Sequence, residues 1–204
     1  MKQIEVSRAA MGRIPTYLEY LKSAAHNTEN ISATALAGAL GMGEVQVRKD
    51  LASVSGAGRP KTGYNVLELI NALENFLRGD KSGGIVIVGA GKLGRALLDY
   101  GGFNDYGLEI SAAFDIAVSD EEKSDCGKPI YPMDRFADFC KNNDVKIGII
   151  TVPKRAAQEV CDLLVKSGIK AVWCFAACSL SVPDDVVIQY ENMALSLAYL
   201  NKRI

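Results

Sequence analysis

Histidine is almost missing from this chain of 204 residues: His26 is the only one. That leaves no histidine cluster for a metal and no histidine for acid–base work in the C-terminal two thirds. His26 follows the first predicted helix and reads as a helix-end residue. Cysteine is sparse and odd in number (Cys126, Cys140, Cys161, Cys174, Cys178), with no Cys-x-x-Cys pair. A zinc site is therefore not expected, and reduced thiols are. Cys174 and Cys178 read first as buried structural thiols, with a direct thiol redox switch as the alternative. No apolar run approaches the ~20 residues of a membrane span. The first fifteen residues hold no apolar core of a signal peptide, so a cytoplasmic location is expected. Charge of one sign is lacking too, with a net charge of −1. The distribution says more: residues 1–81 carry ten basic and eight acidic residues, and residues 82–204 thirteen and sixteen. The N-terminal part is the mildly basic one.

What is present is concentrated in one run, Gly84-Ile85-Val86-Ile87-Val88-Gly89-Ala90-Gly91-Lys92-Leu93-Gly94-Arg95-Ala96-Leu97-Leu98. It reads as an apolar strand, a glycine turn and the start of a helix. Gly89 permits the turn, Gly91 lets the backbone approach a pyrophosphate, and Gly94 lets the helix pack close on the strand. The free amides and positive dipole end of the helix face the anion, so Ala90, Lys92 and Leu93 belong to the same loop. A second strand from Leu108 ends in Asp115, 21 positions past Gly94. That is where a dinucleotide site needs a carboxylate for the adenosine ribose. No Arg or Lys follows within Ile116-Ala117-Val118, which favours NAD(H) over NADP(H). A purely structural glycine turn is the competing reading.

Around this motif strands and helices alternate. Strands are predicted over 84–89, 109–115, 130–131, 145–152, 171–176 and 186–190, with helices over 91–100, 133–142 and 153–167. Apolar strands separated by helices read as a parallel, doubly wound sheet. Thr151-Val152-Pro153 falls at the C-terminal end of a strand, where open α/β sheets bind ligands, and is read as a cofactor wall. Tyr100 and Phe103 can line a nicotinamide pocket; core packing is an equal alternative for Phe103. Trp173 reads as core. The helix from Glu191 to about Lys202 carries Met193, Leu195, Leu197, Ala198 and Leu200, too apolar a set for a solvated tail.

Before a polar linker at Gly79-Asp80-Lys81-Ser82-Gly83-Gly84 no strand-rich run occurs. Ile14-Pro15-Thr16-Tyr17 predicts a helix with Pro near its start. Ser32 caps a short helix, Ala33 to Leu40; Gly41-Met42-Gly43 turns the chain; Glu44 to Val54 is helical again. Two short helices about a glycine turn read as helix-turn-helix. The second carries Gln46, Arg48 and Lys49, donors that suit base edges and phosphates. The following Ser55–Tyr64 segment is glycine-rich and basic through Arg59 and Lys61, and stands where a wing would. Val66 to Arg78 is a further helix. Double-stranded DNA is the expected partner; a helical interaction domain with a merely solvated charged face is the alternative.

These motifs together resemble the Rex family of redox-sensing transcriptional repressors. The similarity rests on Gln46-Val47-Arg48-Lys49-Asp50-Leu51, Gly63-Tyr64-Asn65-Val66, the Gly89–Gly94 loop, Tyr100-Gly101-Gly102-Phe103, Ala113-Phe114-Asp115, Thr151-Val152-Pro153 and Phe175-Ala176, and it runs from about residue 13 to the C-terminus. It implies an α/β protein: a winged helix-turn-helix domain (1–80), a Rossmann-like NAD(H)-binding domain (83–190) and a C-terminal helix (191–204) swapped onto a second subunit. The function it implies is repression by a homodimer on operator DNA, released by NADH. The chain departs from the family at Ala52-Ser53-Val54-Ser55, at Arg59-Pro60-Lys61, at Cys174 and at Glu191-Asn192. An NAD-dependent dehydrogenase and a CoA-binding type of Rossmann protein are the other readings. The first lacks a histidine in the sheet region and a Tyr-x-x-x-Lys pair; the second leaves Gln46, Arg48 and Lys49 unexplained.

Overall fold

The computed structural model describes residues 6–78 and 83–204. Residues 79–82 of the expected linker lie outside the described residues. The chain divides into two compact units, Met1–Asp80 and Lys81–Ile204.

The first unit runs α1 (Arg8–Ala24), β1 (Asn30–Ile31), α2 (Ala33–Leu40), α3 (Glu44–Ser55), β2 (Tyr64–Asn65), α4 (Val66–Arg78). Helix α1 starts earlier than the sequence reading places it. Ser7 caps it by accepting from the Ala10 N–H at 3.2 Å, and Pro15 lies inside it. Ala10, Ile14, Tyr17 and Leu21 recur on one buried stripe. Continuing that stripe upstream outweighs the one carbonyl that Pro15 leaves without a donor. Ser32 caps α2 by accepting from Ala35 N–H at 3.0 Å, and left-handed Gly41 ends it. The region is not strand-free: β1 and β2 pair antiparallel, Asn30 opposite Asn65 and Ile31 opposite Tyr64. Two residues are too short a run to show alternation, and Ile31 and Tyr64 are held by the core they enter. Asn65 then caps α4, its side-chain oxygen accepting from Glu68 N–H at 3.0 Å. Tyr17, Leu21, Leu36, Val47, Leu51, Leu69 and Leu73 make one core behind α3.

The second unit holds β3 (Gly84–Val88), α5 (Lys92–Asp99), a 3-10 stretch (Gly101–Tyr106), β4 (Ile110–Asp115), β5 (Glu122–Lys123), β6 (Pro129–Pro132), α6 (Phe136–Asn142), β7 (Val145–Ile150), α7 (Lys154–Lys166), β8 (Ala171–Cys174), β9 (Val187–Tyr190) and α8 (Met193–Asn201). The sheet order is β5-β6-β4-β3-β7-β8-β9, parallel except for the β5–β6 pair. Leaving out the β5 edge, this is the doubly wound order that reverses beside the first strand, here between β3 and β7. One face packs on α6 and α7 through Phe114, Phe136, Cys161 and Leu164. The other carries α5, with Ile85, Ile87, Leu98 and Ile149. Trp173 is half-buried on that second face rather than enclosed, and so is Phe175. Cys174 is buried and Cys178 only partly so; all five thiols are free. Among the described residues, no helix is long and apolar enough to cross a membrane.

Candidate nucleic-acid interface and nucleotide loop

Helix α3 buries Val47, Asp50 and Leu51 and turns Gln46, Arg48 and Lys49 outward. The spacing makes this unavoidable, because positions 47, 50, 51 and 54 share one helical face. After α3 the chain forms a wing. Arg59 and Gly63 exchange backbone hydrogen bonds of 2.7 and 2.9 Å, and Lys61 stands at the tip with φ 68°. A left-handed non-glycine residue costs about 1 kcal/mol. Between α3, the start of α2 and the wing lies a groove of about 610 Å³, lined by Arg48, Lys49, Arg59 and Lys61 with Ser32 and Thr34. The four cations predicted from sequence thus share one concave surface. Arg48 is exposed and pairs with Glu44 one turn back, and Arg59 lies 3.6 Å from Glu68. Both pairs are solvent-facing and cheap to exchange for phosphate.

The reading missed what stands behind this surface. Asp50, buried in the core, accepts from Arg13 Nε at 2.7 Å, Arg13 Nη2 at 2.9 Å and Tyr17 Oη at 2.8 Å. Burial pushes the Asp50 carboxyl up, but the hydrogen bonds from Arg13 and Tyr17 win and hold it below the ordinary value. Burial first, then the bond to Asp50, pushes the Tyr17 phenol to about 12. The signal available in the sequence was an acid on the apolar face of α3, facing an upstream Arg and Tyr four apart.

In the second unit Gly89 has φ 105°, and its N–H donates to Phe114 O at 2.8 Å. A Cβ at Gly94 would strike the Gly89 carbonyl oxygen; one at Gly91 would meet nothing within 4 Å. The loop is therefore tight against the strand on one side and open on the other. No side chain caps α5, so the amides of Lys92, Leu93 and Gly94 have no intrahelical partner. Thr151 Oγ1 donates to Gly89 O at 2.6 Å, which fastens the end of β7 to the loop. Val152 also lies against Gly89, and Pro153 is the cap residue just before α7. Strand β7 ends at Ile150, two residues short of the predicted limit, although Thr151 N–H still donates to Val88 O at 3.0 Å.

Asp115 takes Ala90 N–H on Oδ2 at 2.6 Å and Ala117 N–H on Oδ1 at 2.8 Å. Tyr100 and Phe103 form an edge-on pair, centroids 5.1 Å apart. Phe103 also meets Trp173 at 6.1 Å, on the α5 face of the sheet, while Val152 packs toward the opposite face. Arg95, present in the motif but given no role from sequence, links Ala90 O at 2.9 Å to Glu122 at 2.7 Å and so ties the loop to the β5 edge. No group of three or more His, Cys, Asp or Glu that could hold a metal occurs among the described residues.

A winged helix-turn-helix joined to a Rossmann-like sheet defines a DNA-binding regulator carrying a dinucleotide-type fold. A family model described as a CoA binding domain matches residues 80–178, and one described as a putative DNA-binding protein N-terminus matches 5–52. The chain is 41% identical to the redox-sensing transcriptional repressor Rex of Treponema denticola, across 98% of this chain and 95% of that protein. It is 38% identical to the Rex repressor of Porphyromonas gingivalis, across 98% and 92%. Among solved structures, RSP in complex with β-NAD+ and operator DNA matches with TM-score 0.85 and 35% identity, covering 97% of this chain and 92% of that one. RSP in complex with β-NADH matches with TM-score 0.78 and 35% identity, covering 98% and 94%. The chain belongs to the Rex family of redox-sensing transcriptional repressors.

Proposed function

We propose that this protein is a cytoplasmic homodimeric repressor that holds operator DNA and lets it go when NADH binds. The observation that carries the reading is the hydrogen-bonded unit of the Gly89–Gly94 loop and Asp115 in a chain whose other unit presents four cations around one groove. The solved RSP complexes with NAD+ and operator DNA, and with NADH, support it.

The residues present fit a dinucleotide. The loop amides and the open side of Gly91 suit a pyrophosphate. Asp115 has used two of its roughly four acceptor sites, which leaves room for the ribose hydroxyls. We assign Thr151, Val152 and Pro153, beside the loop, to the nicotinamide wall, with Tyr100 and Phe103 approaching from the α5 face and α8 contributed by a second copy. NADH supplies a neutral ring where NAD+ has a cation. An apolar enclosure favours the neutral form, because an unpaired buried charge is costly. Enclosure that differs between subunit arrangements shifts the dimer only by that differential affinity. Gln46, Arg48 and Lys49 then read the major groove, with Arg59 and Lys61 on the backbone or minor groove. Two such units in a two-fold dimer match a pseudo-palindromic site.

The match to a CoA-binding family model gives the second reading its support. A gel shift on the promoter region of the protein's own gene separates the two. NADH is expected to release DNA, whereas equal NAD+ and equal coenzyme A leave it bound. Release by both nicotinamide forms alike defeats the redox reading, and release by coenzyme A alone favours the second.

A further inference from the structure

Val45, in the first turn of α3, is 66% exposed. Valine is a weak helix former with a stiff side chain, so local preference does not explain it there. Nor does packing: the core of this unit takes in Val47 and Leu51, with Met42 and Val54 against it, and leaves Val45 out. Residues two apart on an α-helix point about 200° apart, so Val45 faces away from the buried Val47. Arg48, Lys49 and Ala52 are the α3 residues that line the groove beside the wing. Val45 precedes them by three, four and seven positions, the spacings that share one helical face. It therefore continues that face toward the N-terminus of α3, as an apolar point beside two cations.

We propose that Val45 is a base-contacting residue that selects thymine in the operator through the 5-methyl group. The N-terminal residues of a recognition helix are the ones that meet base edges in the major groove. Val45 has no donor or acceptor to offer there. The apolar feature of that edge is the thymine methyl, which adenine, guanine and cytosine lack. Cytosine in the same place sets its N4 donor against hydrocarbon, an unmatched contact. Arg48 and Lys49, on the same face, hold phosphates or guanine edges nearby and press the valine methyls onto the base. The surface thus reads one position by shape and burial, where its other candidate residues read by charge and hydrogen bonds.

This inference rests on the proposed operator binding, and the test keeps the two apart. Full-length protein selects its best duplex from a random pool. Each thymine of that duplex is then replaced in turn by deoxyuridine, which removes the methyl and keeps every hydrogen-bonding group. Wild-type protein is expected to lose roughly three- to fivefold in affinity at one thymine of each half-site, the worth of one buried methyl. Val45→Ala is expected to bind the thymine duplex more weakly by a similar factor, and to respond to uracil at that position by less than about 1.5-fold. Alanine is the better helix former, so the variant keeps its fold. Its affinity is expected to fall with salt as steeply as wild type does, because no phosphate contact is lost. A wild-type protein indifferent to uracil at every thymine overturns the inference. So does a Val45→Ala protein that keeps the full uracil loss, or one whose oligomeric state changes, which places the side chain between copies of the chain. A wild-type protein that selects no duplex at all overturns the operator reading, and this inference with it.

Discussion

The backbone N–H of Ala90 donates to the carboxylate of Asp115 across 2.6 Å, so the glycine loop and the acid proposed for the ribose are one unit. Removing the acid does two things together: it deletes the proposed ribose acceptor and frees the turn. Asp115→Ala is expected to weaken NADH and NAD+ by equal factors, because the adenosine half is common to both. A charge-assisted bond is worth roughly 1.5–3 kcal/mol, or about ten- to a hundredfold in affinity. Titration calorimetry with each form measures it. Unequal losses would place Asp115 nearer the nicotinamide than the ribose.

Gly94→Ala tests the same loop from the other side. Its Cβ would fall on the Gly89 carbonyl oxygen and within 3.0 Å of Thr151 Oγ1, both of them fixed. The helix must back away from the strand, at a cost of about 1–3 kcal/mol. Lowered thermal stability and lost NADH binding are expected, with operator binding retained in the absence of nucleotide. A variant that binds NADH as wild type does would show that the close packing of α5 is dispensable.

Much of the architecture was legible because it depends on local pattern. The apolar runs of β3 and β7, the Ser32 cap and the Val66–Arg78 helix come from residues adjacent in sequence. What escaped depends on partners far along the chain. The two-residue strands β1 and β2 exist only as each other's partner, 34 or so positions apart. The β5 edge, Glu122–Lys123, is exposed and charged, and it is held by Arg95 and by its antiparallel pairing with β6. Pro15 misplaced the start of α1 because proline favours a first helical turn, while the apolar stripe that carries the helix further upstream depends on the core it packs into. The candidate site followed the same rule. The loop glycines and the cations of α3 stand in short motifs, whereas Arg13, 37 positions from Asp50, carries no motif.

Arg48→Ala is expected to weaken operator binding by roughly five- to a hundredfold, the range of a lost base contact of about 1–3 kcal/mol, and to leave NADH affinity unchanged. In the structure Arg48 is held by Glu44, an exposed i,i+4 pair worth about 0.3–0.5 kcal/mol. Glu44→Ala therefore gives the opposite sign, up to about twofold tighter binding from a freed arginine and a lost negative charge. Paired gel-shift and nucleotide titrations on the two variants check both directions.

The Tyr17–Asp50–Arg13 group makes stability depend on pH at both extremes. The Asp50 carboxyl is held below its unfolded value, so its contribution is complete above about pH 4 and drains away as the pH falls through the folded value. The Tyr17 phenol is raised to about 12, so its contribution is complete below about pH 10 and is lost as the pH rises toward 12. Calorimetric melts of wild type against Asp50→Asn should converge in acid and separate toward neutrality. Wild type against Tyr17→Phe should draw together from about pH 10 and converge as the pH reaches about 12. Parallel profiles over the whole range would mean that neither group senses the fold.

Helix α8 presents Met193, Leu195, Leu197, Tyr199 and Leu200 to solvent, each 59–69% exposed, and Asn192 caps it by accepting from Leu195 N–H at 2.9 Å. A capped helix that is apolar on every side is a buried helix without its cover. Burying one such side chain is worth ~1.5–3 kcal/mol, so five together can hold two chains. The half-buried Trp173 and Phe175 offer an apolar surface on the sheet of a second copy. Deleting residues 191–204 is expected to turn a dimer into monomer or aggregate, to expose Trp173 to quenchers and to blunt the response to NADH. Light scattering coupled to size separation reads the first, and tryptophan quenching the second. If α8 instead completed its own sheet unit, the truncated chain would lose stability yet remain a dimer. A truncated chain that stays dimeric and still answers NADH rules out the exchanged helix.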